Sequence, residues 1–156
     1  MLSKEKLAAK EYITKEYNNL NNAPITEFTC SVSLVDNDIF HWKVLIEAPK
    51  NSPYSGGKFF LSVDFPDSYP QKRPEIRFIN RIYHPNVNPT DGYLYIDILS
   101  NWEPKRSIRD VIFAIFLLLY KPNPNDYYNR GMAEEYSSNR SEFDRKAKEW
   151  TKKYAS

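Results

Sequence analysis

The chain has 156 residues, 41% of them hydrophobic and 15% aromatic, which is the size of one ordinary domain with ample material for a core. A formal net charge of +2 sets up no overall field toward nucleic acid or an anionic membrane, so neither is expected as a partner. The lone cysteine, Cys30, has no partner for an internal disulfide, and the charged start MLSKEKLAAKEY lacks the apolar stretch of a signal peptide; a cytoplasmic or nuclear setting is expected.

Residues 3–20 suit an amphipathic helix: Ser3 is placed to cap it, and Ala9, Ile13, Tyr17 and Leu20 recur at roughly helical spacing. From residue 28 to 34 apolar Phe28, Cys30, Val32 and Leu34 alternate with Thr29, Ser31 and Ser33, the pattern of a half-buried strand. Asp36-Asn37-Asp38 then reads as a hairpin turn into a second strand over 40–47, with Phe40, Trp42, Val44 and Ile46 on one face. A Pro- and Gly-rich break over 49–57 precedes a third strand with Phe59, Leu61, Val63 and Phe65 inward, and 75–79 completes a four-stranded antiparallel meander.

Residues 80–104 form an irregular segment long enough to suggest a functional loop. Beyond it, 107–120 reads as a helix with Ser107 and Asp110 in capping-box spacing; its apolar residues run nearly all round, which predicts a central, buried helix. The apolar run 111–119 is about half the roughly 20 residues a membrane span requires. Pro122-Asn123-Pro124-Asn125 ends that helix, and two more are expected over 130–136 and 141–153. The order is helix, four strands, site loop and three helices, an α+β layout in a single domain spanning 1–156.

The site loop carries the motif. His84-Pro85-Asn86, a turn ending at Gly92, then Leu94-Tyr95-Ile96-Asp97-Ile98-Leu99 and Trp102-Glu103-Pro104 resemble the ubiquitin-conjugating enzyme family. That family's pattern is His-Pro-Asn, a short polar loop, Gly-x-Ile-Cys-Leu-Asp-Ile-Leu and Trp-x-Pro. Phe40-His41-Trp42, Ser52-Pro53-Tyr54-x-Gly56-Gly57, Phe65-Pro66-x-x-Tyr69-Pro70, Pro122-Asn123-Pro124 and Glu149-Trp150 match further family landmarks, so the resemblance covers about residues 7–154.

The resemblance implies the ubiquitin-conjugating fold and a reaction in which an activating enzyme loads ubiquitin onto a cysteine as a thioester. That cysteine slot holds Tyr95. A thiol with pKa near 8.5 supplies a few per cent of thiolate at neutral pH, whereas a phenol with pKa near 10 is ionised to about one part in a thousand. The phenol oxygen also stands several ångströms further from the backbone than sulfur would, and placement errors of about 1 Å already slow a reaction. Two spacings depart as well: Asn86 to Tyr95 is nine steps where the family commonly has eight, and the stretch between Leu99 and Trp102 is one residue shorter. Cys30, on the inward side of its strand, reads as an inert core thiol.

The other family roles map residue by residue. Asn86 would donate a hydrogen bond to the oxyanion formed on the thioester carbonyl, or else hold its loop. His84 would shape the loop, and Asp126 would orient or deprotonate an incoming lysine, or serve as a solvated loop acid. Ser31 falls where family members bind a second ubiquitin non-covalently, or is a plain strand serine. Lys4, Lys6 and Lys10 match the surface that meets the activating enzyme, or are a solvated helix face. At the ligase-docking loops, after Pro70 and Pro104, stand Gln71 and Lys105 in place of an aromatic and a small residue; loss of such an anchor commonly costs at least about 2 kcal/mol.

Neither a cofactor nor a metal is expected. Three functions follow: an inactive family member binding ubiquitin, a ubiquitin-like protein, an active conjugating enzyme or a ligase; a conjugating enzyme working through Tyr95 or with a partner's cysteine; and a peptide-binding scaffold.

Overall fold

The computed structural model of the protein describes residues 2–156. Helix α1 (Lys4–Asn22) starts where Ser3 accepts the Lys6 amide at 3.1 Å. Its inward face buries Ala9, Ile13 and Leu20, while Tyr17 meets the edge of Trp42 with ring centres 5.3 Å apart. Four strands follow: β1 (Cys30–Val35), β2 (Asp38–Glu47), β3 (Lys58–Asp64) and β4 (Glu75–Phe78), hydrogen-bonded antiparallel in chain order. The β1–β2 turn is tight because Asp36 and Asn37 both adopt positive φ, 53° and 57°, a conformation these two residue types tolerate.

Strand alternation sets the two faces of the sheet. Trp42, Val44, Ile46, Phe59, Leu61 and Val63 point inward and are wholly buried. Outward lie Ser31, Leu45 and Phe60 in one cross-strand row, and Ser33, Lys43, Ser62 and Arg77 in the next. Phe28, expected to begin the first strand, lies outside β1. It stacks on Phe116 with ring centres 3.9 Å apart, so packing against a helix, not strand pairing, holds it.

The 80–104 segment is more ordered than its sequence suggests. Single bridges join Arg77 to Tyr93 and Val87 to Leu94, and one helical turn, α2 (Asp97–Ser100), follows Tyr95. Its start has no side-chain cap, which is why no sequence signal announced it. Then come α3 (Ile108–Tyr120), α4 (Arg130–Ser138) and α5 (Arg140–Tyr154). The capping box of α3 is complete: Ser107 accepts the Asp110 amide and Asp110 accepts the Ser107 amide, both at 3.1 Å.

Helix α3 corrects one expectation. Ile108, Val111, Ile112, Ile115 and Leu119 are buried, but Leu117 is 51% and Tyr120 53% exposed. The helix is covered on one side only, and its apolar outer side forms a wall of the site. No helix among the described residues is long and apolar enough to cross a membrane.

Candidate functional site

The His-Pro-Asn segment rests on a buried tyrosine. Tyr54 is fully buried, stacks on His84 with ring centres 5.6 Å apart, and donates its hydroxyl to the Tyr83 carbonyl at 2.5 Å. His84 Nε2 lies 2.8 Å from the Leu118 carbonyl and therefore donates; Nδ1 accepts the Asn86 amide at 3.0 Å. The ring is thus a neutral Nε2–H tautomer, and burial pushes its pKa down to about 4. Both ring nitrogens are committed, so His84 clamps the loop to α3 and leaves no atom free for proton transfer.

Asn86 is wholly buried and uses every polar atom. Its Oδ1 accepts the Asn123 amide at 2.9 Å, while Nδ2 donates to the Asn123 carbonyl at 2.8 Å and to the Asp126 carbonyl. Its own carbonyl accepts the Tyr95 amide at 2.7 Å. One side chain therefore ties the 84–86 loop to the 123–126 loop, and its backbone fixes position 95. In this arrangement neither Nδ2 hydrogen is left for an oxyanion.

Tyr95 sits at the mouth of a groove of about 530 Å³ lined also by Asp97, Ala114, Leu117, Leu118 and Tyr120. The tyrosine is 42% exposed, and its ring meets the edge of Tyr128 with centres 6.1 Å apart. Asp126 lines the same groove, its carboxylate accepting a bond from Asn123 Nδ2 at 3.3 Å. Tyr95, Asn86, His84 and Asp126 thus lie near one another, Asn86 and Asp126 coming from positions 40 residues apart in sequence. Leu117, Tyr120 and Tyr128 belong to the site too; the sequence marked the first two as core and Tyr128 not at all, because exposure depends on what packs outside a helix.

Cys30 lies elsewhere. It is half-buried on edge strand β1, against the core, and burial pushes its thiol up to about 11 despite the nearby Arg109. Ser31 projects from the open face of the sheet and makes no side-chain hydrogen bond among the described residues. Gln71 and Lys105 are exposed on two loops joined by Trp102, whose indole donates to the Pro70 carbonyl at 2.7 Å; Pro104 is exposed beside them, and Lys105 pairs with Glu103 at 3.2 Å. On α1, Lys4 and Lys10 are exposed, whereas Lys6 is drawn to Asp67 at 3.8 Å and lies over the Phe40 ring. No group of three or more His, Cys, Asp or Glu side chains able to hold a metal occurs among the described residues.

A helix-sheet-helix core presenting His-Pro-Asn beside a groove is the architecture of ubiquitin-conjugating domains, and the comparisons agree with it. The family model described as ubiquitin-conjugating enzyme matches residues 12–151, and the chain belongs to that family. Among solved structures, it is similar to the E2 domain of a Toxoplasma gondii ubiquitin conjugating enzyme: 30% identical, TM-score 0.84, covering 94% of this chain and 99% of the other.

Proposed function

We propose that this family member acts non-covalently in ubiquitin or ubiquitin-like conjugation, as partner or regulator of an active conjugating enzyme or ligase in the cytoplasm or nucleus, and carries no modifier itself. The observation behind this reading is Tyr95: a phenol stands at the nucleophile position of a frame that keeps His84, Asn86 and Asp126. Three features support it. Cys30 is not among the residues lining the groove, and burial raises its pKa. The groove is open and largely apolar, with Asp97, Lys121 and Asp126 also in its lining, and is suited to an extended chain segment. The open sheet face offers Ser31 beside Leu45 and Phe60, a surface of the kind that binds without chemistry.

Incubation with activating enzyme, ubiquitin and ATP, followed by a non-reducing gel, tests it. No thiol-labile adduct is expected; an adduct lost in Cys30→Ala would overturn the reading. The exposure of Tyr95 favours one alternative, an ester on its hydroxyl. That species would resist thiols, yield to hydroxylamine and vanish in Tyr95→Phe.

A further inference from the structure

Two arginines, Arg77 on β4 and Arg81 just beyond its end, form no ion pair among the described residues. Arg77 and Arg81 both line a cavity of about 200 Å³ between the end of β4 and the 87–93 turn. Arg73, Arg106, Arg109 and Arg140 also form no ion pair among the described residues; what sets Arg77 and Arg81 apart is that both line one concave space.

Arg81 is also held in place. Its guanidinium carbon lies over two rings, 4.8 Å from the centre of Trp150 and 5.1 Å from that of Tyr154, and Nη1 donates to the Tyr154 hydroxyl at 3.2 Å. Aromatic rings hold a guanidinium by its π-face, so the in-plane N–H groups stay free to donate. Of five donors, one is bonded within the protein. A third cation, Lys153, reaches the Tyr154 ring at 5.3 Å and adds positive potential.

The cavity wall is fixed rather than fluid. Asn80 is locked, accepting the Phe60 amide at 2.7 Å and donating to the Tyr154 carbonyl at 3.0 Å. The one acid of the lining, Asp91, is committed to its own turn: Oδ1 accepts the Tyr93 amide at 3.0 Å and Oδ2 faces Asn88 Nδ2 at 3.4 Å. Arg81, held over two rings, and Arg77, which makes no internal side-chain bond among the described residues, face one concave space and suit an anion with several acceptor oxygens. A phosphoryl group meets that geometry, because it can accept from more than one guanidinium at once, whereas a carboxylate is satisfied by a single fork.

We propose that the Arg77–Arg81 cavity binds a phosphomonoester. The site is separate from the Tyr95 groove, shares no lining residue with it, and does not depend on the functional reading above. Its ligand is either a phosphorylated side chain of a partner protein or a free phosphate ester.

The test is an ¹⁵N chemical-shift titration of the full chain at constant ionic strength. The probes are inorganic phosphate, a phosphoserine peptide, the same peptide unphosphorylated, and acetate. Saturable shifts at Asp91, Gly92, Tyr93 and the Arg81 side chain are expected by about 10 mM phosphate, for a dissociation constant near 1 mM or below. They should vanish in Arg81→Gln and weaken at least about fivefold in Arg77→Gln, which removes one charge-assisted contact but no internal bond. Tighter binding of the phosphopeptide would assign the site to a phosphorylated protein, and equal binding to a free ester. Shifts that fail to saturate, that acetate matches, or that persist in a folded Arg77→Gln protein at full strength would overturn the proposal.

Discussion

Three residues decide the chemistry, each through its surroundings. Tyr95 has its backbone fixed by Asn86 and its ring open to the groove, so on the proposed reading a phenol is presented where the family pattern has a thiol. Cys30 offers no substitute. With its pKa raised from 9.0 to about 11, its thiolate fraction at pH 7 is about 100-fold below that of an unshifted thiol. Its reaction with a disulfide reagent should be slower than free cysteine by about that factor and should quicken with pH up to about 11. His84 makes stability depend on pH. Its folded pKa, near 4, lies below the ordinary 6.5, so the unfolded chain takes the proton first as pH falls. The stabilising effect of keeping His84 neutral is complete above about pH 6.5 and is lost progressively toward pH 4. Between pH 7 and 4.5 the loss should be about 2–3 kcal/mol, read as a fall in urea midpoint that is shallower in His84→Gln.

Loops and helices then turn those residues into a site. Asn86 joins two loops by three side-chain bonds, and the turn between Asn86 and Tyr95 is anchored by Gly92 against β4. Gly92 has φ +82°, and a Cβ there would lie 2.1 Å from the Phe78 carbonyl oxygen. Its own carbonyl accepts the Phe78 amide at 2.8 Å, so the turn has no room to retreat. Gly92→Ala should therefore destabilise by about 3 kcal/mol or more in denaturant unfolding, combining backbone strain with a backbone clash. Helix α3 shows what an element's own pattern leaves open. Thirteen residues, apolar nearly all round, become half core and half groove wall because no element covers Leu117 and Tyr120.

For the whole molecule, the consequence is a division of faces. The helices cover the inner side of the sheet, the Tyr95 groove opens beside α3, and the outer side of the sheet stays free. Surfaces that share no residues should fail independently under mutation. Ser31→Arg should weaken binding of the modifier at least about tenfold by chemical-shift titration, while Leu117→Glu leaves that affinity within about twofold. Because Ser31 is exposed and makes no side-chain bond, Ser31→Arg should leave the melting temperature within about 2 °C. Loss of fold in Ser31→Arg, or equal loss of binding in both variants, would count against separate faces.

Much of this was legible in the chain. The alternation of Phe40, Trp42, Val44 and Ile46 with polar residues defined the sheet faces, Ser3 and Ser107 marked helix starts, and His84-Pro85-Asn86 with Tyr95 located the site, because each is a local rule of backbone geometry or motif spacing. Tertiary structure decided the rest. Whether Asn86 faces a substrate or a second loop, whether Leu117 is core or groove, and whether Arg81 finds an acid or two aromatic rings all depend on segments distant in sequence. Periodicity reports what a residue would bury; only the packed chain settles what stands opposite it.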